Sequence, residues 1–353
     1  MKIVNKNGGG RLSNFELLRI ISMFMVCMIH ANMVSLPHPT IDDFNLNPIS
    51  TIVRYVIESF GIVCVNVFVL ISGWFSIKTK RVSVLSFIFQ IIFLQSLCFL
   101  VMYLLGTTDF TMRNMLHIIS LPSFDWFIKA YLVLLILAPI LNKFIEHSDE
   151  KLQRKVLFWF FVFSSTYGWF GGANRFFVSG YGPLFFIGLY LLAQYVHITI
   201  NNINTPTKIC TLFTRSKYID LCVYLLSVLV NTILLIYVLK YGKGLDNFIL
   251  AYNNPIVVVG ALYLLLFFSK IQLHANKFIN WIAASSFSVY LIHGQVNIMP
   301  YFSLCVLYIY DKYSSVICVL AILFFLIIVF LVSILIDQLR IISWKKIAKI
   351  INV

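Results

Sequence analysis

Ten apolar stretches alternate with short polar segments along this chain, near residues 15–36, 52–76, 82–105, 125–142, 155–172, 181–200, 218–239, 254–270, 281–302 and 315–337. A helix of about 20 residues crosses a hydrocarbon layer of about 30 Å. The pattern therefore predicts an all-α polytopic membrane protein, a bundle of about ten transmembrane helices. It divides the chain into an N-terminal tail at 1–14, a membrane domain at 15–338 and a basic tail at 339–353. The intervening loops are short, so any chemistry must lie within the bundle or at its edges.

Charge gives these helices a direction. The segments before the first helix, between the second and third (Lys78, Lys80, Arg81), the fourth and fifth (Lys143, Lys151, Arg154, Lys155), the sixth and seventh (Lys208, Arg215, Lys217), and the eighth and ninth (Lys270, Lys277), with the segment after the tenth (Arg340, Lys345, Lys346, Lys349), hold most of the 27 basic residues. Basic loops stay in the cytoplasm, so both termini are expected there. The first helix then runs outward, with Arg19 toward the cytoplasm and His30 toward the outside. The second runs inward, from Glu58 to Ser72, Gly73 and Trp74.

Composition excludes a water-soluble globule, because 60% of residues are hydrophobic, 11% are charged and mean hydropathy is +0.92. The expected location is the cell membrane, multi-pass. A formal net charge of +14 could suggest a nucleic-acid partner, but the basic residues form loop clusters rather than one patch, so none is expected. Membrane lipid is the surrounding partner. The seven cysteines form no C-x-x-C pair, and all but Cys210 fall in apolar runs, where they read as small core residues. The first apolar stretch lacks a small-residue cleavage site and reads as a retained helix.

Two ionisable residues break the first apolar stretch. Arg19 and His30 lie eleven positions apart, which turns them through about 1100° and places them on one helix face roughly 16 Å apart along the axis. Glu16 and Ser22 share that face. An ionisable side chain at membrane depth costs roughly 3 kcal/mol on insertion scales and marks a functional site by default. A plain structural reading also exists: an Arg19–Glu16 ion pair near the cytoplasmic interface.

At these residues the chain resembles the acyltransferase-3 family of integral-membrane acyltransferases, which modify surface polysaccharides and other glycans using acetyl-CoA or similar thioesters. The resemblance lies in an Arg or Lys separated by ten residues from a His in the first helix, here Arg19 and His30. Val65-Asn-Val-Phe-Val-Leu-Ile-Ser-Gly-Trp74 is similar to the family's I-S-G-aromatic segment. Trp126-Phe-Ile-Lys-Ala-Tyr131 with Pro139 is similar to its W-F-x-x-x-Y…P helix, and Ser288-Val-Tyr-Leu-Ile-His293 to its YLIH ending. These matches fall in order across about residues 11–340. Where some relatives carry an Asp, this chain has Asn66. The resemblance makes residues 15–338 the acyltransferase domain. It implies transfer of an acetyl group from acetyl-CoA, as co-substrate, to a surface polysaccharide or lipid-linked sugar, with no bound cofactor.

Acyl transfer from a thioester to a hydroxyl needs a base, an oxyanion donor and an anchor for the CoA head. Imidazole titrates near neutrality, so His30 suits the base. Guanidinium pairs bidentately with phosphate, so Arg19 suits the anchor. The offset along the helix matches a pantetheine arm running from Arg19 to His30. Glu58 is the outer carboxylate best placed by direction to orient the imidazole, although pairing with Arg54 one turn earlier explains it equally well. Ser72 and Gly73 are assigned to the donor path, with close helix packing as the alternative. Asp125, Trp126 and Arg175 are assigned to the acceptor at the outer mouth, near Trp169. An interfacial Trp also serves as a membrane anchor. His293 reads as a structural hydrogen bond between helices. His38, His117, His147, His197 and His274 show no metal spacing, so no metal is expected.

A rival class is a transporter or flippase of a lipid-linked glycan. Such folds carry internal repeats, and none is evident here. A glycan polymerase would favour a large basic outer loop, whereas the outer loops here are short.

Overall fold

A computed structural model describes residues 12–119, 125–170, 178–201, 208–242 and 246–350. Every regular element among them is helical: α1 (Ser13–Ile29), α2 (Ile41–Leu46), α3 (Pro48–Gly61), α4 (Cys64–Trp74), α5 (Arg81–Leu104), α6 (Met112–Ile119), α7 (Trp126–His147), α8 (Glu150–Phe170), α9 (Pro183–Asn201), α10 (Lys208–Phe213), α11 (Lys217–Tyr241), α12 (Asp246–Ile249), α13 (Pro255–Ser269), α14 (Lys277–Ala284), α15 (Ser286–His293), α16 (Met299–Lys312) and α17 (Ser315–Ile350). A π-turn at His30–Val34 prolongs α1.

Local chemistry sets the helix starts. Thr40 and Asp43 form a reciprocal capping box on α2, and two hydrogen bonds from Thr40 hold the Asp43 carboxyl below its usual range. Asn47 caps α3 with Pro48 at its first turn, and Asn254 caps α13 with Pro255 there. Ile62 and Val63 keep right-handed helical angles, so α3 and α4 form one 27-residue span, Pro48–Trp74.

Among the described residues seven spans are long and apolar enough to cross a membrane: Ser13–Val34, Pro48–Trp74, Arg81–Leu104, Trp126–His147, Pro183–Asn201, Lys217–Tyr241 and Val316–Ile350. This is a multi-pass α-helical membrane protein. The other three stretches of the expected ten differ for identifiable reasons. Helix α8 opens on Glu150, Lys151, Arg154 and Lys155 and closes on polar and aromatic residues, while α13 has only 15 residues. The stretch at 281–302 is broken twice, at Ser285 and again between Gly294 and Ile298, where Pro300 opens the next helix. Helix α17 continues without interruption through Arg340 and Lys349 to Ile350.

The chain forms two compact units. The first takes the described residues of Met1–Ser22, Thr40–Lys78 and Trp126–Asn280; the second takes those of Met23–Pro39, Thr79–Asp125 and Trp281–Val353. In the first, α9 packs on α4, α7 and α8, and α11 packs on α3 and α13. Gly73 permits the α4–α9 approach: a Cβ there would lie 2.3 Å from the Tyr190 carbonyl oxygen. Trp74 is fully buried between Phe15 (ring centroids 5.7 Å) and His197 (stacked at 4.6 Å). A buried ion pair joins Lys270 Nζ to Asp220 Oδ2 at 2.5 Å. In the second unit, α15 packs on α5 and α17, and α16 packs on α17 and the π-turn. Asp337 and Arg340 form a buried pair on α17.

Candidate active site

The feature that stands out in the second unit is a pair of imidazoles. Nδ1 of His30 lies 2.9 Å from Nε2 of His293, with ring centroids 5.0 Å apart. His293 is 1% exposed, and its Nδ1 lies 2.5 Å from the Val289 carbonyl oxygen one helical turn earlier. His30 is only partly buried. Aromatic rings enclose the pair: Tyr290 at 6.3 Å from the His30 centroid, and Phe302 at 5.4 Å from that of His293 with Phe325 behind it.

The backbone of His30 is fixed by the π-turn it opens. Its carbonyl accepts from both the amide and the hydroxyl of Ser35, each at 2.9 Å. Ser35 Oγ in turn lies 2.9 Å from Ser303 Oγ of α16. Because the Ser35 hydroxyl hydrogen is directed to His30, Ser303 is the donor in that contact. Single π-turns within helices recur at functional sites, since the extra residue re-aims a side chain. Asp125, partly buried, lies close enough to Tyr290 for its carboxylate to act on the Tyr290 hydroxyl.

Other residues singled out from the sequence lie in the first unit. Arg19 Nη1 contacts Glu16 Oε1 at 2.7 Å; the Arg19 side chain keeps 33% of its surface exposed while that of Glu16 keeps 6%. Glu16 Oε2 is buried without a hydrogen bond among the described residues. Ser72 Oγ donates to the Phe68 carbonyl at 2.9 Å and therefore accepts from Tyr131 Oη at 3.1 Å. Beyond this segment, Asn142 accepts from Tyr190 (2.7 Å) and Gln194 (2.6 Å) and donates to the Ile77 carbonyl (3.0 Å), fixing the turn where Ser76 adopts φ +51°. Trp126 sits against Tyr181 (4.4 Å, edge-on) and Tyr252 (5.7 Å, stacked). Glu58 is buried. Asn66 donates to the Tyr252 carbonyl at 2.8 Å, a bond that an ionised Asp could not make.

Arg175 lies outside the described residues, as do the side chains of Trp169 and His117. Cys222 and Cys305 are exposed rather than in the core, whereas the other five cysteines are buried. Among the described residues no cluster of three or more His, Cys, Asp or Glu could hold a metal ion. Sequence reasoning saw His293 as an interhelical hydrogen bond but did not connect it to His30. The YLIH motif was the available signal, but which helix faces it is a property of packing.

These observations define a helical membrane protein with a hydrogen-bonded pair of imidazoles, one buried and one partly exposed. Residues 12–338 match the Acyl_transf_3 family model, described as an acyltransferase domain. The chain belongs to the acyltransferase-3 family and is a multi-pass membrane acyltransferase. No curated protein and no solved structure matches it significantly.

Proposed function

We propose that this chain is an O-acetyltransferase of the cell membrane, the cytoplasmic membrane in a bacterium, that moves an acetyl group from cytoplasmic acetyl-CoA to a hydroxyl of a cell-surface or lipid-linked glycan. His30 acts as general base and Arg19 helps to hold CoA. The observation that carries this reading is a hydrogen-bonded imidazole, enclosed by aromatic rings, in a chain of an acyltransferase family.

In the proposed reaction the acceptor oxygen attacks the thioester carbonyl while His30 takes the hydroxyl proton. Collapse of the tetrahedral intermediate breaks the carbon–sulfur bond, and His30 returns the proton to the CoA thiolate, so atoms and charge balance without a further reactant. The aromatic surroundings favour transfer over hydrolysis by limiting water. Arg19 has one short contact with Glu16 and a partly exposed guanidinium, which leaves donors for a phosphate. Ser72 and Gly73 belong to the donor path in this account. Asp125, Trp126 and Arg175 are assigned to the acceptor in this account; aromatic faces such as that of Trp126 against Tyr181 suit a sugar ring.

Inverted membrane vesicles supplied with acetyl-labelled acetyl-CoA test the proposal. Label should enter an alkali-labile ester on the glycan fraction only when the chain is present. Glycan that crosses the membrane with no label would instead indicate transport.

A further inference from the structure

We infer that His293 is a positioning residue that fixes the tautomer of His30, placing the catalytic lone pair on Nε2. This inference rests on the acyltransferase reading above. The Val289 carbonyl can only accept, so Nδ1 of His293, 2.5 Å away, carries the hydrogen. A ring 1% exposed and facing an uncharged carbonyl is neutral, which leaves its Nε2 bare. A bare Nε2 can only accept, so the hydrogen between the rings, across 2.9 Å, belongs to Nδ1 of His30. His30 Nε2 is therefore the unprotonated nitrogen, and among the described residues it has no hydrogen-bond partner.

The chain from Val289 through His293 to His30 performs with neutral groups what a carboxylate does in a Ser-His-Asp arrangement: it selects one tautomer and holds the ring's direction. Cys27 Sγ, 4.0 Å from His293 Nδ1, is too weak an acceptor to compete with the carbonyl. When His30 gains the substrate proton on Nε2, its Nδ1–H remains directed at His293, so the interaction strengthens as charge develops. The π-turn fixes the backbone from which the His30 ring projects.

The test compares wild type, His30→Ala, His293→Gln and His293→Leu at matched membrane abundance. Gln offers an acceptor oxygen in place of Nε2; Leu offers none. The expected result is that His293→Leu lowers kcat by roughly 10²–10⁴-fold, the range over which general-base catalysis contributes, with KM for acetyl-CoA within about threefold. His293→Gln should retain at least about a tenth of wild-type kcat. Nitrogen-15 spectra of histidine-labelled protein should show His30, assigned by its loss in His30→Ala, protonated on Nδ1 in wild type and in His293→Gln but not in His293→Leu. Full activity of His293→Leu beside an inactive His30→Ala overturns the positioning role and leaves His30 as base. Equal loss in both His293 variants with the His30 tautomer unchanged also overturns it. Full activity in all four proteins refutes the general-base reading itself.

Discussion

His30 and His293, 263 residues apart in sequence, meet through a 2.9 Å contact between Nδ1 and Nε2. One ring is buried among apolar and aromatic side chains and bonded to a backbone carbonyl; the other is partly open. In the proposed reaction only the open ring exchanges a proton with substrate, which divides the roles within the pair.

Arg19→Ala should raise the KM for acetyl-CoA about 10–100-fold and change kcat little. That range corresponds to losing a charge-assisted hydrogen bond of about 1.5–3 kcal/mol. Arg19→Lys should recover part of the loss, because the charge returns without the bidentate geometry. Steady-state kinetics with acetyl-CoA varied at fixed acceptor check this; an unchanged KM contradicts the anchoring role.

Gly73→Ala should destabilise the protein by about 1–3 kcal/mol, as overpacking does. The new methyl would lie 2.3 Å from the Tyr190 carbonyl oxygen and 2.9 Å from the Ala193 Cβ, and backbone cannot move aside as a flexible side chain can. A lower melting temperature in detergent is the expected reading.

Breaking the Lys270–Asp220 pair by Lys270→Leu should cost about 3–5 kcal/mol, since it strands a carboxylate with no exposure. Removing both charges with Lys270→Leu and Asp220→Leu should recover much of that loss. Thermal denaturation of wild type and the two variants completes the comparison.

Asn66→Asp should lower stability, because it removes the donor to the Tyr252 carbonyl and sets an oxygen against an oxygen inside the core. Asn66→Gln, which keeps the amide but not its reach, should be intermediate between Asn66→Asp and wild type.

Much of this was legible in the pattern of apolar and polar positions. Arg19 and His30 were visible because an ionisable residue inside an apolar helix has no hydrophobic explanation. Seven of the ten expected stretches proved to be long spans, as their length and apolar composition predict. Helix count was less legible: hydropathy reads 281–302 as continuous, whereas Ser285 and the turn before Pro300 divide it into short helices. Periodicity places residues on a face of their own helix but carries no information about the facing helix. The His30–His293 contact therefore emerges only from packing.

The most direct test of the central claim is the O-acetyl content of the cell-surface glycan, measured by NMR in cells carrying the intact chain, no copy, or His30→Ala at matched membrane abundance. Acetylation should appear with the intact chain and be lost with His30→Ala, while the amount of surface glycan stays constant. Equal acetylation of a fully assembled glycan in all three would contradict the account.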